Sequence, residues 1–212
     1  MLEVKTKTVL FDMDGTLTEP RKSIQMNMVS ALDKLSKYAR IGIVTGSDFK
    51  YISEQCELLW DNISSQMNFN NLILMPCNGT KVYRIEGSKF KKVHESIMKK
   101  EVGEKKYNKL IYNLIENQLR IRHTLYGKLI PLTGNFIDCR GSMINWCPIG
   151  RNANQEERDA WVTLDSKFNI RSSILDSYFR KPDYEKIKVK LGGSTSFDIF
   201  PEGWDKTYSF RH

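Results

Sequence analysis

With 212 residues, the chain can form one large domain or two small ones. Its formal net charge is +8, and its 40% hydrophobic and 27% charged residues are the composition of a globular protein. No apolar stretch reaches the length of a transmembrane helix, and the first residues lack the layout of a signal peptide, so we expect no membrane partner and a cytoplasmic location. Much of the positive charge lies in mixed-sign runs that are typical of solvated helix faces, which makes a nucleic-acid partner the least favoured interpretation.

The first predicted strand, at 6–12, ends in carboxylates. Its apolar run stops at Asp12, and Asp14 follows two positions later, directly before Gly15. Two carboxylates on the same side of a strand exit repel each other unless a cation lies between them, and the glycine permits a tight turn. This pattern favours one aspartate as nucleophile toward a phosphoryl group, a second as acid/base and Mg²⁺ joining them, over a solvated Asp-Gly turn.

The following segments alternate between helix and strand. Helices are predicted at 23–38, with Ser23 as the N-cap, and at about 48–59. Short apolar strands are predicted at 41–44 and 72–75. The order strand–helix–strand–helix–strand favours a parallel sheet.

After residue 80 the pattern changes to antiparallel hairpins. Alternating residues predict one hairpin at 81–85 and 89–93 and a second at 136–137 and 143–146. This section is therefore predicted to be a separate lobe with an antiparallel sheet. Its other predicted elements are helices at 103–121, 155–168 and 174–187, the last interrupted near Pro182, and strands at 188–191 and 196–200.

Four arginines lie on predicted loops and helix starts where local structure does not require one. They are Arg21, Arg140, Arg151 and Arg158. A guanidinium is a rigid fork of donors that matches phosphate oxygens, so the set suggests a clamp for a polyanion. The alternative is that each is a solvated surface arginine.

Residues 12–18, Asp-Met-Asp-Gly-Thr-Leu-Thr, resemble the first signature motif of the haloacid dehalogenase (HAD) superfamily of phosphotransferases. Further strings, in family order, resemble the eukaryotic-type phosphomannomutases of that superfamily. These strings are Phe11 to Arg21, Gly46-Ser-Asp-Phe49, Pro76-Cys-Asn-Gly79, Asn145-Trp-Cys-Pro-Ile-Gly-Arg151, Gln155-Glu-Glu-Arg158, Gly192-Gly-Ser-Thr-Ser-Phe-Asp198 and Phe200-Pro-Glu-Gly-Trp-Asp-Lys206.

The resemblance implies an α/β fold, with a HAD-like Rossmannoid core on a parallel sheet and an inserted α+β cap domain with an antiparallel sheet. We expect the core at 1–81, the cap at 82–202 and the start of the returning core segment at 203–212. The implied activity is interconversion of mannose 6-phosphate and mannose 1-phosphate through an aspartyl phosphate and mannose 1,6-bisphosphate, which supplies the precursor of GDP-mannose.

The resemblance also implies roles for individual residues. Asp12 is expected to be the phosphorylated nucleophile and Asp14 the acid/base, both binding Mg²⁺. Ser47, or Thr45 as the alternative, is expected to bind the transferring phosphoryl group, and Lys206 to offset charge near Asp12. The expected substrate-binding residues are Arg21, Arg140, Arg151, Arg158, Ser196 and Asp198. The expected partners are a hexose bisphosphate activator and a second copy of the chain, bound through the cap.

In the family, Gly-Trp-Asp-Lys precedes another core strand and a Gly-Asp loop that supplies an aspartate to Mg²⁺, and neither is found before His212. Asp12, the Asp14 backbone and solvent are then expected to hold the ion. Three explanations for the lack of this core strand and loop are open. A second polypeptide supplies the C-terminal piece of the core, the chain is a shortened form of a longer one, or it is a relative that binds sugar phosphates without turnover. A sugar-phosphate phosphatase is a further alternative, because phosphatase relatives share the equivalents of Asp12, Asp14 and Lys206 but not the full arginine set.

Overall fold

The computed structural model describes residues 7–19, 22–61, 71–86, 89–123, 129–179 and 185–212. Contacts between residues divide the chain into a first unit, Met1–Ser96 with Gly203–His212, and a second unit, Ile97–Glu202. Among the described helices, none is both long and apolar enough to cross a membrane.

The first unit is built on a five-stranded sheet in the order β1-β2-β3-β4-β5. The first three strands pair in parallel, and the last two are added antiparallel. The predicted parallel sheet and the predicted hairpin are both confirmed. The strands are β1 (Thr8–Asp12), β2 (Arg40–Val44), β3 (Leu72–Met75), β4 (Lys81–Glu86) and β5 (Lys89–Glu95).

The hairpin of β4 and β5 continues this first sheet rather than opening the second lobe. Leu74 of β3 pairs with Tyr83 of β4, and Ile85 is buried in the core cluster that also contains Leu74. The first unit therefore extends to Ser96, whereas we expected the cap to begin at residue 82. The chain returns to the first unit after Glu202.

Alternate residues of the central strands pack on opposite faces of the sheet. On one face, Ile41 and Ile43 belong to a buried cluster that includes residues of the helices. On the other face, Val44, Ile73 and Met75 form a second cluster. Because neighbouring side chains of a strand point to opposite sides, strands covered on both faces are apolar throughout.

The α-helices in the described part of the first unit are α1 (Met26–Ser36), α2 (Phe49–Gln55) and α3 (Glu57–Asp61). The prediction that Ser23 caps α1 was wrong, because Gln25 occupies the N-cap position. Ile24 is buried, and its backbone N–H donates to the Gln55 carbonyl at 2.7 Å, which keeps this segment outside the helix. The single helix predicted at 48–59 is divided at Cys56.

The second unit contains a four-stranded antiparallel sheet in the order β6-β7-β9-β8. The predicted antiparallel sheet is therefore confirmed. Its strands are β6 (Ile137–Cys139), β7 (Ile144–Trp146), β8 (Ile187–Gly192) and β9 (Ser196–Pro201), and its helices are α4 (Met98–Val102), α5 (Glu104–Arg122), α6 (Gln155–Phe168) and α7 (Ile170–Ile174).

The helix predicted at 174–187 has different bounds in the structure. Asn169 adopts a left-handed conformation (φ 51°) that ends α6, and α7 begins directly after it. A π-helical turn, Leu175–Phe179, continues α7, and β8 begins at Ile187. The predicted interruption near Pro182 lies outside the described residues.

One face of the second sheet is apolar, and the other carries its polar residues together with Phe200. Trp146 of β7 pairs with Phe197 of β9, and their fully buried rings stack at 5.0 Å between centroids. Asn145 and Asp198, which pair one position along, point to the opposite face. The polar residues of this sheet therefore share one surface.

Candidate active site

The carboxyl ends of the three parallel strands lie at one edge of the first sheet. Asp12 of β1 is paired with Val44 of β2, and Val44 is paired with Met75 of β3. The segments that follow these strands carry Asp14 and Ser47. In open α/β sheets, this edge is where ligands bind.

Asp12 forms an ion pair with Lys206, which is 194 positions later in the chain. Lys206 Nζ donates to Asp12 Oδ2 at 2.6 Å, and the backbone N–H of Met13 donates to Asp12 Oδ1 at 2.8 Å. The carboxylate is 39% exposed. It is thus oriented through both oxygens and remains accessible to solvent.

A tight turn after β1 presents Asp14. The Met13 carbonyl accepts hydrogen bonds from the backbone N–H groups of Leu17 and Thr18, both at 3.0 Å. Gly15 has a φ of 79°, a conformation that favours glycine. The turn holds Asp14 two residues beyond Asp12.

Tyr51 is a contact of Asp14 that the sequence did not reveal. It lies in the first turn of α2, and its hydroxyl donates to Asp14 Oδ1 at 3.0 Å. Cys56, at the other end of α2, is fully buried. Burial, and next the negative charge of Asp14, raise the pKa of the Cys56 thiol to about 12. For Tyr51, the signal in the sequence was its position three residues after Asp48, directly beyond the string Gly46-Ser-Asp-Phe49.

Thr45 and Ser47 occupy different environments in the loop after β2. Thr45 is buried, and its Oγ1 accepts a hydrogen bond from the backbone N–H of Ser47 at 3.1 Å. Ser47 is half-buried, and its carbonyl accepts from the Cys77 N–H at 2.8 Å. The Thr45 hydroxyl therefore supports the loop, while Ser47 presents its side chain nearer to solvent.

Asp48 links this loop to β4. Its carboxylate caps α2 through the Phe49 N–H at 2.7 Å, and Lys81 Nζ donates to the same oxygen at 3.0 Å. Burial lowers the pKa of Lys81, but nearby Cys77 and Asp48 together outweigh this effect and raise the pKa above its ordinary value. Lys81 thus stays charged and fixes the start of α2.

The segment that carries Lys206 is held against the loop after β3. Asn78 Nδ2 donates to the Trp204 carbonyl at 3.3 Å, and the Tyr208 and Ser96 hydroxyls lie 2.7 Å apart. Gly79 has a φ of 84°, and a Cβ placed there would lie 2.7 Å from the Cα of Ser209. The loop and the 3₁₀ turn Lys206–Arg211 therefore approach closely only because residue 79 lacks a side chain.

A row of polar residues crosses the second sheet and will be called the polar row: Asp138, Asn145 and Asp198. They are direct cross-strand neighbours on β6, β7 and β9. Arg151 lies beside the row, with Nε 3.5 Å from Asp138 Oδ2 and Nη1 donating to Asn145 Oδ1 at 2.7 Å. Ser196 is buried and accepts from Asn145 Nδ2 at 3.0 Å.

The other predicted arginines have different surroundings. Arg140 is buried, and its Nε donates to Asp138 Oδ2 at 2.9 Å. Arg158 is buried, and its three nitrogens donate to the Ala153 carbonyl, the Thr195 hydroxyl and the Arg151 carbonyl. Arg158 thus holds the loop that carries Arg151. Arg21 lies outside the described residues.

The structure thus brings Asp12, Asp14, Ser47 and Lys206 to one edge of the first unit. In the second unit, Arg140, Arg151, Ser196 and Asp198 are joined through the polar row, with Arg158 behind them. Asn145 belongs to this network and was not among the predicted residues.

A magnesium ion requires hard oxygen ligands, and the first unit offers them at the end of β1. The Asp12 carboxylate and the backbone oxygen of Asp14 are of this kind, and Mg²⁺ keeps several waters and takes phosphate oxygens. Within the described ranges, no group of three or more His, Cys, Asp or Glu residues could hold a metal. The donor chemistry fits a magnesium ion that is held partly by its substrate and by water.

Comparisons with known proteins identify relatives of this chain. A family model described as eukaryotic phosphomannomutase matches residues 28–212. Phosphomannomutase of Dendrobium officinale is 38% identical over 205 residues, which are 96% of this chain and 74% of that protein. The phosphomannomutase of Saccharomyces cerevisiae is 36% identical with the same coverage.

Solved structures are similar in fold. A haloacid dehalogenase-like hydrolase from Bacteroides thetaiotaomicron superposes with a TM-score of 0.53 at 15% identity, covering 98% of this chain and 75% of that one. Plasmodium falciparum IMP-nucleotidase gives a TM-score of 0.58 at 13% identity, with 97% of this chain covering about half, 54%, of that protein. The predicted HAD-like α/β fold is thereby confirmed, and the chain belongs to the eukaryotic phosphomannomutase family.

Proposed function

We propose that the protein catalyses the interconversion of mannose 1-phosphate and mannose 6-phosphate through an aspartyl phosphate and mannose 1,6-bisphosphate. The observation that carries this proposal is the pair Asp12 and Asp14 at the end of β1, with Lys206 2.6 Å from Asp12, in a member of this family. Mannose 1-phosphate is a precursor for GDP-mannose, which is the role we propose for the product.

Asp12 is the proposed nucleophile. One of its carboxylate oxygens attacks a phosphorus atom of the bisphosphate, and the bond from that phosphorus to the sugar oxygen breaks. Lys206 offsets the negative charge of Asp12 as the phosphoryl group approaches, because its ammonium group already lies against the carboxylate. When Mg²⁺ is bound by Asp12 and Asp14, it neutralises charge on the phosphoryl oxygens.

Asp14 is the proposed acid/base. It gives a proton to the departing sugar oxygen, and it later takes the proton from the other sugar hydroxyl. The oxygen of that hydroxyl then attacks the phosphorus of the aspartyl phosphate, and the bond to Asp12 breaks. The hydrogen bond from Tyr51 keeps the Asp14 carboxyl in a fixed orientation during both steps.

Ser47 is the proposed ligand of the transferring phosphoryl group. The buried Thr45 hydroxyl accepts the Ser47 N–H, which supports Ser47 over Thr45 for this role. Asp48 and Lys81 hold the loop in place from behind. Such fixed placement matters because phosphoryl transfer depends mainly on positioning and on charge stabilisation.

The second unit is proposed to bind the part of the substrate that does not react. The guanidinium groups of Arg140 and Arg151 suit a phosphate group, and Arg21 is proposed to join them. Ser196 and Asp198 suit sugar hydroxyls, because a hydroxyl and a carboxylate accept hydrogen bonds from them. Arg158 is proposed to act through the loop that it holds.

The test uses the full chain with mannose 1-phosphate, a catalytic amount of mannose 1,6-bisphosphate and Mg²⁺, followed by phosphorus NMR. We expect mannose 6-phosphate without accumulation of inorganic phosphate, and no product with Asp12→Asn. A matched control is Lys91→Met, which removes an exposed ion pair with Glu86 elsewhere in the first unit.

Other outcomes identify the alternatives. Inorganic phosphate that appears faster than mannose 6-phosphate would contradict a mutase and indicate a phosphatase. A ligand-induced rise in melting temperature without any turnover would indicate a sugar-phosphate binding protein. The homodimer, the second polypeptide and the cytoplasmic location stay predictions.

A further inference from the structure

Asn145 lies in the middle of β7 and contacts three of the proposed substrate-binding residues. Its Nδ2 donates to Asp198 Oδ1 at 2.7 Å and to Ser196 Oγ at 3.0 Å, and its Oδ1 accepts from Arg151 Nη1 at 2.7 Å. The side chain is buried, with 3% exposure. This buried amide therefore connects the loop that carries Arg151 with β9, which carries both Ser196 and Asp198.

The orientation of the Asn145 amide is determined by the chemistry of its partners. A guanidinium only donates, so Arg151 must face the amide oxygen, and a carboxylate only accepts, so Asp198 must face the amide nitrogen. The Ser196 hydroxyl donates to the Gly192 carbonyl at 2.8 Å, so it receives the second amide hydrogen. Both amide hydrogens therefore have an acceptor, and a flipped amide would place its nitrogen against Arg151 and its oxygen against Asp198, where neither could form a hydrogen bond.

The sheet register places Asn145 next to Asp198. Asn145 is the direct cross-strand neighbour of Asp138 on one side and of Asp198 on the other. Side chains at such positions are about 4.5–5.5 Å apart at Cβ, which matches the reach of an asparagine amide. The space beside Asp198 is kept open by Gly192, where a Cβ would lie 2.8 Å from the Asp198 carboxyl carbon.

We propose that Asn145 is a positioning residue for the sugar-phosphate ligand, acting through Arg151, Ser196 and Asp198 rather than by contact with the reacting atoms. It holds a guanidinium for the phosphate and two oxygen acceptors for the sugar at fixed separations. This inference rests on the proposed function of the second unit. Loss of the amide removes one hydrogen-bond partner from the buried Ser196 and from the half-buried Arg151 and Asp198, so these groups shift or become solvated.

The main variant is Asn145→Asp, which keeps the size of the side chain and the acceptor for Arg151 but removes both donated hydrogen bonds. Asn145→Thr suits a strand and retains one donor, so it serves where the aspartate variant fails to fold. The matched control is Asn71→Asp, which makes the same chemical change in the first unit. Asn71 Nδ2 donates to the Ser36 carbonyl at 3.0 Å, at the end of the sheet away from Asp12.

The readouts are KM and kcat for mannose 1-phosphate, together with the melting temperature of each variant. We expect Asn145→Asp to raise KM by about 10–100-fold, which is the effect of losing hydrogen bonds to charged groups. We expect kcat to change by less than about threefold, because the affected contacts bind substrate and transition state alike. Asn71→Asp should lower the melting temperature without changing KM.

An unchanged KM in both Asn145 variants, or an equal rise in KM for Asn71→Asp, would overturn the proposal. Direct calorimetric binding of mannose 1-phosphate separates this inference from the proposed function. If the wild-type chain binds but does not convert the sugar phosphate, and binding weakens in the Asn145 variants, the proposed activity is contradicted and the positioning role is supported. Binding that is insensitive to residue 145 contradicts the positioning role whatever the activity.

Discussion

Replacement of Lys206 by methionine separates the contribution of its ion pair to stability from its contribution to phosphoryl transfer. The ammonium group lies 2.6 Å from Asp12 Oδ2, and the two side chains are 50% and 39% exposed. An ion pair that is this exposed contributes roughly 0.2–1 kcal/mol to the free energy of unfolding. For a protein of this size, that amounts to a fall in melting temperature of at most about 4 °C.

The effect of Lys206→Met on turnover should be much larger. During transfer, negative charge on the phosphoryl oxygens approaches a carboxylate, and a fixed cation stabilises this arrangement without reorganising. Loss of one such group lowers kcat by about 10²–10³. We expect this fall in the NMR assay at saturating mannose 1-phosphate, with the melting temperature measured on the same sample.

Lys91→Met is the control for this prediction. Lys91 Nζ lies 2.9 Å from Glu86 Oε2, and both side chains are more than half exposed. It should shift the melting temperature by a similar amount and leave kcat unchanged. A kcat within threefold of the wild type for Lys206→Met, or an equal loss for both variants, would refute the assignment of Lys206 to the transfer step.

Three further predictions concern thiols, glycines and pH. At pH 8 a thiol reagent should label the exposed Cys139 in the native protein and leave Cys56 unlabelled until the protein unfolds. The reason is that burial, and next the charge of Asp14, raise the pKa of Cys56 to about 12. Mass spectrometry of the labelled peptides measures the result. Gly15→Ala should lower the free energy of unfolding by about 1–2 kcal/mol, because residue 15 has a φ of 79°. Gly79→Ala should lower it by about 2–5 kcal/mol, because the added Cβ would also meet Ser209 in the turn that begins at Lys206. Equal losses in urea titrations would contradict the close approach of Gly79 to this turn. Burial, followed by the charges of His94 and Arg211, lowers the pKa of His212 below 6.5. Near this pH the unfolded chain therefore binds a proton more readily than the folded chain, so the free energy of unfolding should fall as the pH drops through 6.5. His212→Gln should flatten this pH dependence.

The parts of the fold that depend on local pattern were predictable. Apolar runs ending in polar loops located β1 to β3, and the predicted bounds of α5 and α6 agree with the structure within one residue. The hairpin of β4 and β5 was also predicted, but it was assigned to the second lobe, whereas it belongs to the first sheet. Alternation shows that a segment is a strand, and it does not show which sheet the strand joins.

The candidate site divides in a similar way. Asp12 and Asp14 are close in sequence, so the motif alone brought them together. Tyr51 reaches Asp14 across 37 positions, and Asn145 reaches Asp198 across 53, so neither contact has a local signal. For Arg158 the residue type suggested phosphate binding. In the structure its guanidinium donates to the carbonyls of Ala153 and Arg151, because a guanidinium binds backbone carbonyls as well as phosphate oxygens.

The ion pair of Asp12 and Lys206 has a consequence for the timing of synthesis. The two residues are 194 positions apart, and the whole second unit lies between them. At a typical elongation rate of roughly 5–20 residues per second, Asp12 is made on the order of 10–40 s before Lys206. Throughout that interval Asp12 lacks the cation that we propose to assist phosphoryl transfer. Under the proposed function, the order of residues along the chain therefore delays efficient transfer until the second unit has been synthesised.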